Sequence, residues 1–270
     1  MIWLTQQLFQ GNKKQALQHI SEIYEEEGFA IVSYIYGAVI IRHKLLQSID
    51  LGSLPVWQKA LFGSSIILPD GAALLTWWKV AHWLDRVQWV SHLTNLNGTD
   101  FFITLLEYYL SKWWVNLVCY GVYDEVLGTK KWVLIGKAGE WLQENYGFNW
   151  TYAQDTNYSN DSLDDRDWDK MKAVCNPNHT TIMMVCRGVP RQEIWSYHHR
   201  NNLKKYWVIA CNQWATIDYW AGRETRAPRL VRRLWLESVW RLLSDPRKNW
   251  SKFWVSFQMM GEITKLFFKK

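Results

Sequence analysis

Residues 180–195 read TTIMMVCRGVPRQEIW: an unbroken apolar run, a Gly-x-Pro turn, then an amide, a carboxylate and a Trp. A short apolar run bounded by turn residues suits a strand buried on both faces. A helix that starts just after Pro190 leaves its first backbone amides aimed past the strand's end, where phosphates bind well. The unit is therefore strand, turn, helix.

The same unit recurs on both sides of this stretch. Upstream, NKKQALQHISEIYEEEG (12–28) spaces Ala16, Ile20 and Ile23 along one helical face and stops at Gly28, before the buried strand FAIVSYI (29–35). SIILPDG (65–71) is a strand that breaks into a Pro-Asp-Gly turn, followed by the apolar helix AALLTWWKVAHWL (72–84). DFFITLLEYYLSK (100–112) reads as a helix running into the strand VNLVCYG (115–121), and KWVLIGKAGEWLQENYG (131–147) as a further helix. DDRDWDKMKAVCN (164–176) is the helix before the quoted stretch, and YWVIACN (206–212) is the last strand. This alternation predicts an α/β, Rossmann-like, largely parallel sheet with helices on both faces, whose ligands bind beyond the carboxyl ends of the strands. Three turns there carry chemistry: Asp70 in ILPDGAAL, Gly188 to Glu193 in GVPRQE, and Asp218 in CNQWATIDYWAG.

In these turns the chain resembles the WecG/TagA/CpsF glycosyltransferases. The resemblance extends from the strand at Ile31 through the Asp-Gly turn and the NGTDFF segment (97–102) to a G-x-P-x-Q-E-x-W signature, formed by Gly188, Pro190, Gln192, Glu193 and Trp195. It continues through an F-D-x-x-A-G signature, seen as Ile217, Asp218, Ala221 and Gly222, then Arg226 to Pro228, and E-W-x-x-R-L, seen as Glu237, Trp240, Arg241 and Leu242. The resemblance implies transfer of a sugar from a nucleotide diphosphate to a lipid-linked acceptor, with inversion at the anomeric carbon and the base at Asp70. The expected donor is a UDP-sugar, an N-acetylhexosamine or uronic-acid derivative, and the expected acceptor an undecaprenyl-diphosphate-linked saccharide. No cofactor is expected. Three departures bear on the donor. Ser33 and Ile35 stand where the family carries Thr-x-Asn, Asn95 stands where it carries Arg, and Asn212, Gln213 and Trp214 replace glycines.

The chemistry asks for particular groups whatever the name. An acceptor hydroxyl has to lose its proton during transfer, and the departing diphosphate needs positive charge or aligned amides. Asp70, at a strand end in a glycine-permitted turn, is the candidate base, and it could equally cap the next helix. Gln192 is grouped with it as catalytic. Ser33, Asn95, Gly188, Pro190, Glu193 and Asp218 are candidate substrate contacts. Glu193 fits a helix start on dipole grounds alone, and Asp218 could simply stabilise its turn. Arg226, Arg232, Arg233 and Arg241 are candidates to neutralise diphosphate.

Charge divides the chain. From residue 223 onward twelve basic residues face four acidic ones, a net +8, and since the whole chain carries +6, residues 1–222 carry −2. The expected organisation is a catalytic body, 1–222, and a basic amphipathic helical appendage, 223–270. In the appendage Trp250, Phe253, Trp254 and Phe257 recur at helical spacing beside Arg247, Lys248 and Lys252, a pattern suited to an anionic membrane surface. Packing of those aromatics on the body is the competing reading. No apolar run is long enough to span a bilayer and the start lacks a signal-peptide pattern, so the expected location is cytoplasmic, peripheral on the inner face of the membrane.

Other constellations are weak. Asp165 and Asp167 form a D-x-D, yet they open a helix, where acids are favoured without a metal, so no metal site is assigned. The four cysteines lie far apart in apolar runs and read as reduced core thiols. His198 and His199 read as solvated residues on two faces of one helix. Two further readings remain: a catalytically degenerate relative that docks on membranes, and, on tryptophan stacking and basic charge, a single-stranded nucleic-acid binder. Homo-oligomerisation is open at this stage.

Overall fold

The computed structural model describes residues 7–42, 54–83, 93–112, 115–122, 131–148, 151–155, 165–175, 179–213, 215–228, 230–231, 237–247, 249–250, 253–255, 258 and 261. Helix α1 (Lys13–Glu27) opens with a capping box, in which Asn12 Oδ1 accepts from the Gln15 amide at 3.0 Å and Gln15 Oε1 from the Asn12 amide at 2.9 Å. It leads into β1 (Ala30–Ile35), then α2 (Gly37–Arg42), α3 (Val56–Phe62), β2 (Ile66–Pro69), α4 (Ala72–Trp83), α5 (Gly98–Leu110) and β3 (Val115–Val122). The remaining elements are α6 (Lys131–Tyr146), β4 (Thr151–Asp155), α7 (Asp165–Lys172), β5 (Thr180–Cys186), α8 (Arg191–His198), α9 (Arg200–Lys205), β6 (Val208–Asn212), α10 (Ala215–Trp220) and α11 (Glu237–Ser244).

The six strands form one sheet in the order β2-β1-β6-β5-β3-β4, every pair parallel. Parallel strands need crossovers, and the intervening helices supply them on both faces, which is why the strands read as continuous apolar runs. Successive residues point to opposite sides. Val32, Tyr34, Met184 and Cys211 pack with α1, α5 and Trp220 on one face. Ile31, Met183, Val185 and Ala210 pack with Trp168, Trp195 and Leu203 on the other, and Ile35 and Ile67 there meet Leu61, Trp77 and Trp78. All four cysteines are buried and free, and burial pushes the Cys175 thiol up to about 12.

Register sets which residues share the carboxyl edge. Ile35 is opposite Pro69, Ser33 opposite Asn212, and Val185 opposite Asn212, so the ends of β2, β1, β6 and β5 come level. Beyond β5 and β3 the chain leaves in opposite directions, toward β6 and toward β4 respectively. That divergence is the switch point of an open α/β sheet.

The structure adds one strand and changes one expectation. Strand β4 pairs with β3 at the sheet edge, although TYAQD lacks an apolar run. His199 is buried, stacked on Trp168 at 5.8 Å and close to Trp195 at 4.8 Å, while His198 is exposed. His199 sits four residues after Trp195, on the same helical face, and that face turns inward. Among the described residues no helix is long and apolar enough to cross a membrane.

Candidate functional site at the carboxyl edge

The turn after β2 is built by backbone bonds. The Asp70 amide donates to the Ile35 carbonyl at 2.8 Å, and the Leu96 amide to the Pro69 carbonyl at 3.0 Å. Gly71 has φ +90°, a left-handed conformation that costs glycine little and other residues more. Its amide donates to Asn95 Oδ1 at 3.1 Å. Asn95 thus braces the turn that holds Asp70. Asp70 is half-buried. Burial first, with Cys211 and Asp70 adding, holds the neighbouring Tyr34 phenol well above its usual range.

The second group of candidates is sealed in. Ser33 is 0% exposed, and its hydroxyl accepts from Asn212 Nδ2 at 2.9 Å and shares a hydrogen bond with Ser64 at 2.7 Å. The other end of the Asn212 amide, Oδ1, accepts from the Ser196 hydroxyl at 2.6 Å. Gln192 Nε2 donates to the Asn212 carbonyl at 3.0 Å and to Glu193 Oε1 at 2.9 Å. Gly188, φ +74°, turns the chain between β5 and α8, and its carbonyl accepts from the Gln192 amide at 3.1 Å. No side chain caps α8, whose N-terminal boundary is Pro190. Burial pushes the Glu193 carboxyl up to about 7, opposed by bonds from Gln192 and from its own backbone amide. Ser33 and Glu193 were candidate substrate contacts, and both instead lie inside this network. Ser64 and Ser196 carry no sequence signal, and Asn212 enters the sequence reading only as a departure from the family's glycines. Their link spans 179 residues between Ser33 and Asn212, which no local spacing could reveal.

A third group joins the start of α5 to the segment after α10. Arg226 bonds Asp100 through Nη1 and Asn97 Oδ1 through Nη2 at 3.1 Å, and its guanidinium lies 5.6 Å from the Tyr219 ring centre. Asp218 Oδ1 is 3.4 Å from Arg223 Nη1, and its carbonyl accepts from the amides of Arg223 and Glu224. Arg226 and Asp218, read as ligand contacts, are each engaged within the protein. Gly98 lies so close to Gln213 that an added Cβ would stand 2.7 Å from Gln213 Oε1.

Arg232, Arg233, Phe257 and Trp214 lie outside the described residues, as do the side chains of Asp165, Asp167 and Arg241. In the appendage Asn249 and Val255 are buried, Phe253 is half-buried, and Trp250 and Trp254 are 60% and 51% exposed. Among the described residues no group of three or more His, Cys, Asp or Glu gathers as a metal site.

Chemically, the edge combines a half-buried carboxylate in a glycine turn with a sealed polar network, while at the start of α8 the Gln192 amide is taken by the Gly188 carbonyl and the Glu193 amide by its own carboxyl, so the amides expected to face a phosphate are engaged within the protein. The family model described as "Glycosyl transferase WecG/TagA/CpsF family" matches residues 8–269. No curated protein matches the chain.

Proposed function

The chain belongs to the WecG/TagA/CpsF glycosyltransferase family, and from that premise we propose an inverting, metal-independent transfer of a sugar from a UDP-sugar to an undecaprenyl-diphosphate-linked saccharide. In this reading the acceptor hydroxyl oxygen attacks the anomeric carbon from the face opposite UDP. The new C–O bond forms as the bond to the diphosphate breaks, Asp70 takes the hydroxyl proton, and UDP departs. The observation that carries the proposal is Asp70 itself, half-buried in a glycine turn at the carboxyl edge and held by the Ile35 carbonyl, with Asn95 bracing Gly71. A base has to be exposed enough to meet its substrate and fixed enough to be aimed. Gln192, sealed behind the edge, serves the sugar side of the site by tying the start of α8 to the Asn212 carbonyl, Gly188 and Pro190 shape its rim, and Arg232, Arg233 and Arg241 are the cations assigned to the diphosphate. Asp218 and Arg226 hold the rim through their own partners.

We assign residues 1–222 to the catalytic body and 223–270 to an appendage on the inner face of the cell membrane. Exposed Trp250 and Trp254, with half-buried Phe253, support an interfacial face, to which Phe257 belongs by spacing. Incubating the full-length protein with UDP-sugars, a lipid-linked acceptor and EDTA should release UDP. Activity that appears only on adding Mn²⁺ would refute metal independence. Changing Trp250, Phe253, Trp254 and Phe257 to Ser should reduce pelleting with anionic liposomes, and unchanged pelleting would remove the membrane face.

A second reading has its own support. Ser33, Asn95 and Asn212 replace residues of the family pattern and are bonded internally, as expected of a membrane-docked relative without transferase activity. Absence of UDP release across a broad donor panel, with liposome binding intact, would favour it.

A further inference from the structure

Gln192 and Glu193 are neighbours at the start of α8, 3% and 1% exposed. Gln192 Nε2 meets the Asn212 carbonyl, a group that can only accept, and Glu193 Oε1. Reversing the amide would put its oxygen against the Asn212 carbonyl oxygen, so that bond fixes its orientation. The other half of each side chain is unbalanced. Gln192 Oε1 and Glu193 Oε2 are both buried without a hydrogen-bond partner. Two unmet acceptors on adjacent, already bonded side chains are costly, and a single proton shared between them would satisfy both.

We propose that Glu193 is held as the neutral carboxylic acid, its Oε2–H donating to Gln192 Oε1, so that acid and amide close a two-bond ring and Glu193 is the positioning residue for Gln192. The ring locks the Gln192 amide against the Asn212 carbonyl. Asn212 is in turn fixed by Ser33 on β1 and Ser196 on α8, so the ends of β1 and β6 and the helix bearing the G-x-P-x-Q-E-x-W signature are held in one arrangement. An ionised Glu193 would add a buried charge and leave the Gln192 oxygen unmet.

The surroundings favour the neutral form. Burial raises the Glu193 carboxyl, and its hydrogen bonds, which favour the charged form, come from Gln192 and its own backbone amide. Titratable or charged groups on the packed elements are Lys59 on α3, Tyr34 on β1, Cys186 on β5 and Cys211 on β6. On α9 and its flank they are Arg200, Lys204, Lys205 and Tyr206, and on α8 and its flanks Arg187, Arg191, Tyr197, His198 and His199. None of these is a hydrogen-bond or ion-pair partner of Glu193.

The role assigned to Gln192 rests on the proposed transferase reading, whereas the protonation does not. In the full-length chain with ¹³C-labelled glutamate carboxyls, the Glu193 resonance, assigned by its absence from Glu193→Gln, should titrate near 7. A midpoint at the ordinary 4.5 overturns the proposal. A carboxyl raised in the folded state contributes stability that is complete below the unfolded value and lost as pH rises through the folded one. The melting temperature should therefore fall between pH 4.5 and about 7, and Glu193→Gln, whose amide can make both ring bonds, should lack that segment. An identical pH dependence in the variant also overturns it. For transfer, wild-type kcat should decline above pH about 7 with little change in donor KM. Glu193→Ala should lower kcat about tenfold at lower pH, and Glu193→Gln should restore most of that loss while flattening the decline. If no transfer is detected in any variant, the transferase reading fails, and the resonance and melting curves still decide the proton.

Discussion

Two corners of the carboxyl edge each carry a carboxylate, and their surroundings differ in kind. At the β2 corner Asp70 is half-buried, on a turn held by backbone bonds and by Asn95. At the β5–β6 corner Glu193 is enclosed among Gln192, Asn212 and the packed face of α8. Position in the fold is much the same, level with the strand ends. Burial separates the chemistry, since a base needs an exposed ionised carboxylate whereas a positioning group gains from being sealed and neutral. In the proposed reading the two acids divide the work, one taking the proton of the reaction and one holding the geometry.

The largest expected effect tests the exposed corner. Asp70→Asn keeps the shape of the turn and should leave UDP binding intact, while transfer falls by roughly 10²-fold or more. A near-normal turnover, measured as UDP release, would move the base elsewhere and dissolve the contrast. The sealed corner should respond in stability instead. Asn212→Ala removes both side-chain contacts to Ser33 and Ser196, and should cost about 2–4 kcal/mol in urea unfolding. A loss below about 0.5 kcal/mol would mean that the network is replaced by water and holds nothing.

Gly98→Ala probes the space between the corners. The added methyl would stand 2.7 Å from Gln213 Oε1 and 3.6 Å from the Tyr34 ring. The near atom ends a flexible side chain, so a shift of Gln213 can relieve most of the clash. The expected cost is about 1–2 kcal/mol, read from the shift of the urea midpoint. No change would show that Gln213 is loosely held.

The first corner was legible in the sequence and the second only in part, for physical reasons. Asp70 lies in a Pro-Asp-Gly turn after an apolar run, a local signal that identifies the strand end. The main strands and helices were readable on the same basis, because burial on two faces leaves an unbroken apolar trace. Strand β4 left none, being polar and at the edge. The short helices α2, α3, α9 and α10 carry too few turns for a periodic pattern. The sealed corner depends on long-range register, Ser33 opposite Asn212, and on which face of α8 turns inward. The buried Trp195 offered a clue to His199 four residues later, but none to the inward packing of Glu193. Many of the tryptophans also find a structural place, with Trp77, Trp78 and Trp195 among the largest fully buried side chains.

Asn95 gives the smallest effect and the sharpest discrimination. Its side chain is exposed, and its Oδ1 accepts from the Gly71 amide at 3.1 Å. In Asn95→Ala water can replace that acceptor, so the stability change should be about 0.5 kcal/mol or less. Transfer should nevertheless fall several-fold, about 3- to 10-fold, because the lost bond steadies the turn that aims Asp70. The double variant decides how the two residues are coupled. If Asn95 acts through Asp70, adding Asn95→Ala to Asp70→Asn should cost almost nothing further, a coupling energy of about 1 kcal/mol in the transition-state cycle. If the two losses multiply, Asn95 contributes on its own, as a donor contact in the place where the family carries Arg, and the exposed corner contains two independent functions.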